Sequence, residues 1–316
     1  MGIRMMDYDS CAKLLLTHED ILILTHMNPD GDTASCAAAL CSALRRGGRR
    51  AYVFPNPQMG RKLRPYCEKY YAPADFKAKY VVSVDVADEK LFCLGYDGKV
   101  DLCIDHHPSN THFAEKSFIQ DEKAACAQIV MGIILSMNAD LTQEEATVLY
   151  IGLSTDTGCF QYNNTDAEAF EAAAELMRCG ADNLSVNTVF FRKVSSARLK
   201  LESMIYDTMR FYLGGRIAVA TVTQDMIRKT GAVEDDLDDL AGLAGRSEKS
   251  LVNITIREKE NGACRVSVRS FPGINSSDIC KVFGGGGHAA AAGCTIEGTP
   301  EHVRNLLVGV VEEVWK

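Results

Sequence analysis

The sequence predicts an α/β protein, a doubly wound and mostly parallel sheet followed by a second, smaller α+β domain. Three observations predict it. Short apolar runs alternate with helix-period segments through the first half, which calls for crossover connections and therefore parallel strands. At 316 residues the chain is long for one hydrophobic core, so two domains are expected. Beyond about residue 210 the alternation gives way to a new α+β pattern that closes on a helix.

Taken in order, Ile21–Thr25 is the first strand, apolar enough to be buried on both faces. His26–Asp32 follows as a loop, with Pro29 and Gly31 preventing a helix and making a tight turn. Thr33–Arg46 is a helix with Thr33 at the cap position. Ala51–Phe54, Tyr80–Asp85 and Val100–Asp105 continue the sheet, and Ala124–Met137 and Thr142–Ser154 are helices, the latter capped by Thr142. Helices are expected near Asp166–Cys179 and over Ser195–Phe211. Strands Arg216–Thr221, Leu251–Arg257 and Cys264–Ser270 then precede a final helix, Pro300–Trp315. The acidic run Glu234–Asp239 is expected to start a solvated helix. These elements suggest a first domain over residues 1–185, a helical connector over 186–210 and a second domain over 211–316.

Bulk composition narrows the function. The net charge of −8 disfavours a protein that coats long nucleic acid, because that binding rests on neutralising phosphates. A short anionic substrate is compatible with it, since bound divalent metal reverses the local field. No apolar run approaches a membrane span and the start lacks a signal-peptide pattern, so a cytoplasmic protein without membrane contact is expected. The 12 cysteines include no C-x-x-C pair and several fall in apolar stretches, which favours buried free thiols over a disulfide framework.

Four clusters of acids and histidines stand just after apolar runs: His26-Met27-Asn28-Pro29-Asp30-Gly31-Asp32, Asp85, Asp105-His106-His107, and Asp156. Together they hold more carboxylate and imidazole than one ion can use, and the absence of thiolate suits Mn or Mg, with Zn or Fe as alternatives. Two metals sharing a bridging carboxylate, about 3.5–4 Å apart, are the arrangement for in-line attack on phosphorus. Singly the clusters are ambiguous: the first loop could cap a helix and Asp156 could mark a simple turn. A second element, Gly284-Gly285-Gly286-Gly287-His288 followed by Ala289–Ala292, is by itself either a flexible turn or a cradle that offers backbone N–H groups to an anion, especially at a helix start, with alanines that permit close helix packing. Arg269-Ser270, ending the preceding strand, adds a cation and a hydroxyl to that end.

These motifs, in this order, resemble the DHH/DHHA1 phosphoesterases, and among them the small bacterial oligoribonuclease (nanoRNase)/pAp phosphatases. The resemblance covers nearly the whole chain and shows no departure at the metal positions. It implies that His26, Asp30 and Asp85 hold one Mn²⁺ and that Asp32, Asp85, His106 and Asp156 hold a second, with Asp85 as the bridge. It also implies that His107 contacts the scissile phosphate, that Asp105 orients a histidine, and that Arg269, Ser270, Gly286, Gly287 and His288 grip a terminal phosphate or nucleotide. The implied activity is Mn-dependent, two-metal hydrolysis of short oligoribonucleotides, linear dinucleotides and 3′-phosphoadenosine 5′-phosphate (pAp), with a homodimer as the implied assembly. Two rivals stand beside it. One is another phosphohydrolase of the superfamily, acting on pyrophosphate, polyphosphate or cyclic dinucleotides. The other is a non-catalytic nucleotide or RNA binder, since the glycine-histidine domain also resembles the C-terminal module of alanyl-tRNA synthetases.

Overall fold

The computed structural model describes residues 6–137, 140–237, 240–271 and 273–314. Contacts divide the chain into two compact units, Met1–Lys193 and Val194–Lys316.

The first unit runs α1 (Tyr8–Thr17), β1 (Ile21–Leu24), α2 (Gly31–Arg46), β2 (Ala51–Val53), α3 (Arg64–Cys67), β3 (Tyr80–Val84), β4 (Leu102–Asp105), β5 (Lys116–Ile119), α4 (Cys126–Ser136), α5 (Gln143–Asp156), α6 (Ala167–Arg178) and α7 (Asn183–Asn187). Its five strands are all parallel, in the order β2-β1-β3-β4-β5. Strand order reverses between β1 and β3, and ligands of such sheets lie beyond the carboxyl ends at that point. β1, β3 and β4 are buried almost throughout, as apolar runs covered on both faces must be. β5 escapes sequence reading because it is an edge strand in which Phe118 alone is buried.

α2 starts two residues earlier than its spacing predicts. Asp30, not Thr33, is the N-cap: its Oδ1 accepts the backbone N–H groups of Asp32 at 3.0 Å and Thr33 at 3.2 Å. The Thr33 hydroxyl instead donates to the carbonyl of Val84 at 2.8 Å, tying α2 to the end of β3. The turn ahead of the helix is made by Asn28, at φ +50°, and Pro29; Gly31 already belongs to α2. Glycine is required there for space, since a Cβ on Gly31 would lie 2.1 Å from Oγ1 of Thr155. The alanines of α2 (Ala34, Ala37, Ala38, Ala39) are buried and let α4 and α5 approach closely. Thr142 caps α5 as expected and does so within a capping box: its hydroxyl accepts from Glu145 N while the Glu145 carboxylate accepts the Thr142 N–H.

The second unit contains α8 (Ser196–Thr208), β6 (Arg210–Tyr212), β7 (Ile217–Val222), α9 (Gln224–Thr230), β8 (Val252–Glu258), β9 (Ala263–Ser270), α10 (Ser276–Lys281), β10 (Gly286–Gly287), β11 (Ala291–Glu297) and α11 (Pro300–Val314). Its sheet has the order β10-β11-β9-β8-β7-β6, with only β7 and β8 parallel. One face packs Ile254, Val266 and Val268 against Ile279 of α10 and Val303 and Leu307 of α11. On the other, Ala218 and Ala220 meet Leu201 and Ile205 of α8.

Several expectations are corrected in this unit. α8 ends at Thr208, because Arg210–Tyr212 pairs antiparallel with β7 rather than continuing the helix. Ala291 and Ala292 begin a strand despite their helix propensity, because residues 291–297 pair with residues 263–269 of β9. No helix therefore follows the glycine run. The acidic run forms a 3₁₀ turn over Glu234–Leu237, in which Asp236 is buried and accepts the Ser195 hydroxyl at 2.6 Å. Asp239 and Trp315 lie outside the described residues. The cysteines are free, and all but Cys159 and Cys179 are buried. Among the described residues no helix is long and apolar enough to cross a membrane.

Candidate metal centre

The carboxyl ends of β1, β3 and β4 gather the acids and histidines of the first unit. His26 follows β1, and its Nε2 lies 3.5 Å from Asp30 Oδ1 and 3.8 Å from Asp85 Oδ2. Asp85 follows β3 at φ +58°, a left-handed conformation costly for a residue with a Cβ. Its amide still bonds Ile104 O at 2.9 Å, so the strand ladder holds the strained residue in place. His106 follows β4, with Nε2 at 3.5 Å from both Asp85 Oδ1 and Asp156 Oδ2. Asp156 ends α5 rather than marking a loop turn. Within the unit, His26, Asp30 and Asp85 form one convergent donor group, and Asp32, His106 and Asp156 form another, with donor atoms within 4.8 Å of each other in each. Asp85 stands between the two, reaching His26 through Oδ2 and His106 through Oδ1.

Backbone carbonyls set the tautomers of the two inward histidines. His26 Nδ1 lies 2.7 Å from Met27 O, and His106 Nδ1 lies 3.0 Å from Lys123 O. A carbonyl accepts only, so each Nδ1 carries a proton and each Nε2 is the nitrogen turned to the carboxylates. His107 is arranged differently. Its Nδ1 bonds Asp105 Oδ1 at 2.8 Å, so although Asp85, His106 and His107 also cluster, that nitrogen is already engaged. Asp105 itself is fully buried and takes further bonds from His106 N and from Asn110 Nδ2.

Burial and mutual repulsion dominate the electrostatics. Burial first, then the Asp30 charge, pushes Asp32 up to about 7. Burial and then Asp32 do the same to Asp156. Burial, with Asp32 and Asp30 behind it, drives Asp85 well above the carboxylate range. Burial also acts on Asp30, but the bond and charge of His26 together with the amides of Thr33 and Asp32 outweigh it and leave that acid below its usual value. The hydrogen bond that His107 donates to Asp105 holds the imidazole above its ordinary value despite burial. Such crowding of acids is relieved by a cation. Asp85 Oδ1 is buried and has no hydrogen-bond partner, leaving a lone pair aimed into the cluster. An oxygen-and-imidazole donor set around a buried, unpartnered carboxylate oxygen fits hard or borderline divalent metal.

Residues that sequence reasoning passed over make this geometry possible. A Cβ on Gly152 would lie 2.7 Å from Asp32 Oδ1 and 3.0 Å from Ala127 Cβ, so glycine in α5 leaves room for the acid. Asn56 is buried and donates to Thr25 Oγ1 and to His26 O, both at 3.0 Å, pinning the loop that carries His26. Only their position in the fold gives them away. Three arginines near α2 serve the scaffold: Arg46 binds Glu145 at 2.9 Å, while Arg49 and Arg50 pair with Glu19 and Asp20.

In the second unit the other candidate residues meet at one end of the sheet. Arg269 of β9 pairs with Ala291 in register, Gly287 with Ala292, and Gly286 with Gly293. The glycine-histidine segment is thus a β-hairpin whose turn is closed by His288 N bonding Ala291 O at 2.8 Å. Arg269, Gly286, Gly287 and His288 are exposed. The Ser270 hydroxyl is occupied internally, donating to Ile274 O at 2.7 Å and lying 2.8 Å from Ser276 Oγ.

Residues 20–153 match the DHH family, N-terminal domain, and residues 214–316 match the DHHA1 domain. A protein of Thermus thermophilus named bifunctional oligoribonuclease and PAP phosphatase NrnA is 33% identical, over 94% of this chain and 90% of that protein. A probable protein of the same name from Streptococcus mutans is 24% identical over 87% of this chain and 89% of its own. Among solved structures, an exopolyphosphatase-related protein from Bacteroides fragilis superposes with a TM-score of 0.86 at 22% identity, covering 97% of this chain and 96% of that one. The acid-and-histidine clusters, Asp156 apart, thus lie in the matched DHH domain and the glycine-histidine hairpin in the matched DHHA1 domain, and the chain belongs to the DHH/DHHA1 phosphoesterase family.

Proposed function

We propose that this protein is a two-metal phosphoesterase that hydrolyses short oligoribonucleotides, linear dinucleotides and pAp. The observation that carries the reading is Asp85: a strained, buried carboxylate standing between two groups of ligands with one oxygen unpartnered. His26, Asp30 and Asp85 would hold one ion; Asp32, Asp85, His106 and Asp156 would hold the other. Bound Mn²⁺ or a similar divalent ion supplies Lewis acidity and lowers the pKa of an attacking water. His107, protonated on Nδ1 by its bond to Asp105, turns Nε2 to the substrate, and its raised pKa favours a proton there for a phosphoryl or leaving oxygen. Arg269, Gly286, Gly287 and His288 would hold the terminal phosphate, with Ser270 shaping the hairpin they stand on. The name of the Thermus thermophilus relative supports this substrate class over inorganic pyrophosphate.

The test is hydrolysis of a matched panel with added Mn²⁺: pAp, pGpG, a five-nucleotide RNA, a cyclic dinucleotide and pyrophosphate. Turnover of pAp or short RNA with pyrophosphate inert is expected. Cleavage of pyrophosphate or the cyclic dinucleotide alone, or of nothing despite bound metal, would overturn the assignment.

A further inference from the structure

Asn110 lies three residues beyond the Asp105-His106-His107 motif and is nine-tenths buried. Every polar atom of its side chain is engaged. Nδ2 donates to Asp105 Oδ2 at 2.6 Å and to Val86 O at 3.1 Å, and Oδ1 accepts the backbone N–H of His112 at 2.8 Å. Its own backbone N–H closes the turn onto His107 O at 3.1 Å. The side chain therefore joins three things that chemistry needs in register: the carboxylate orienting His107, the loop carrying His107, and the backbone next to Asp85.

The Asp105 carboxylate shows why this matters. Oδ1 takes both the His106 amide and His107 Nδ1, at 2.8 Å each, while Oδ2 takes Asn110. The terminal torsion of an aspartate is soft and roughly two-fold, so bonds to Oδ1 alone leave the carboxylate free to swing. The third bond, on the opposite oxygen, locks the plane and with it the direction of His107. Partners that orient a site residue in this way typically contribute about 10- to 100-fold in activity.

We infer that Asn110 is a positioning residue, whose carboxamide fixes Asp105 and thereby aims His107 while clasping the same network to the backbone beside Asp85. The inference rests on the proposed role of His107. Asn110→Ala removes both donated bonds. Asn110→Asp keeps the shape but turns an acceptor toward Asp105 and Val86, so it serves as the control for volume.

On pAp, both variants are expected to lose about 10- to 100-fold in kcat with KM changed by less than about two-fold. In a His107→Ala background, adding Asn110→Ala is expected to change kcat by less than about two-fold, because the residue acts through His107. A second arm needs no turnover. The imidazole Nδ1–H resonance of His107, assigned by its loss in His107→Ala, is expected to vanish or move upfield in folded Asn110→Ala. An unchanged resonance, a rise in KM with kcat intact, or additive losses in the double variant would overturn the inference. Failure of wild type to hydrolyse any panel substrate would sink the functional reading alone, and the resonance would still decide the role of Asn110.

Discussion

Asp32 Oδ2 accepts the backbone N–H of Cys126 at 2.6 Å, so a carboxylate carried by α2 sits on the first residue of α4. Oδ1 accepts the next amide, Ala127, at 3.0 Å. Ala125, at the N-cap position, has no side chain able to do this. A negative charge at a helix start is favourable, so Asp32 is both a cap and a member of the acid cluster.

This double role separates two substitutions that should look alike in an activity assay. Asp32→Ala and Asp156→Ala are both expected to abolish hydrolysis. In metal-free protein, Asp32→Ala should in addition lose about 1 kcal/mol or more of stability with the cap. Asp156→Ala removes a repelled carboxylate and should leave the unfolding midpoint unchanged or higher at pH 8. Equal losses in urea denaturation would refute the capping account.

Asp85→Asn is the cleanest probe of the bridge. Asparagine tolerates positive φ better than other residues and preserves the shape, so the fold should survive. Turnover should fall to background while binding of pAp, followed by calorimetry, stays measurable. Turnover within a few-fold of wild type would remove the basis for a shared ligand.

The raised acids give a pH dependence whose sign follows from linkage. Asp32 and Asp156 bind protons more tightly when folded, up to about 7, than in the unfolded chain. The stabilisation this brings to metal-free protein is fully present below the unfolded carboxylate range and is lost as pH rises through about 7. The raised His26 and His107 act in the same direction. Metal-free protein should therefore melt at progressively lower temperature between pH 5 and 8. Mn²⁺ should bind more tightly over the same interval, because it displaces those protons. Melting curves with and without Mn²⁺ should diverge as pH rises; parallel curves would contradict the assignment of these acids as ligands.

Two neighbouring glycines of the hairpin should respond differently to alanine. Gly287 has φ +145°, and a Cβ there would lie 2.6 Å from Ala291 O and 2.7 Å from Ala292 Cα. Gly287→Ala should cost more than about 1 kcal/mol and weaken pAp binding. Gly286 has no neighbour within 4 Å of such a Cβ, so Gly286→Ala should keep the wild-type melting temperature. Identical melting temperatures for both variants would show that the hairpin geometry is not limiting.

The parallel sheet was legible because β1, β3 and β4 are buried on both faces and spell out apolar runs ending at His26, Asp85 and Asp105. β5 was hidden because an edge strand with one buried residue carries no such signal. The hairpin was misread because alanine and glycine report local preference, whereas residues 291–297 are decided by pairing with β9. Site residues with unusual chemistry stood out in the sequence. Gly152, Asn56 and Asn110 did not, because their importance lies in what they touch: for the asparagines, groups elsewhere in the chain, and for the glycine, side chains of two other helices.

The carbonyls of Met27 and Lys123, which face Nδ1 of His26 and His106, have one more consequence. Neither bond depends on the identity of a side chain, so a mutational scan of this protein cannot delete either of them directly. The proton location on both rings is inherited from the path of the chain, and the site is insulated against the commonest kind of genetic change. A lesion that reverses it must move a loop, and should surface as insertions, deletions or proline substitutions near residues 27 and 123 rather than as loss of any single functional group.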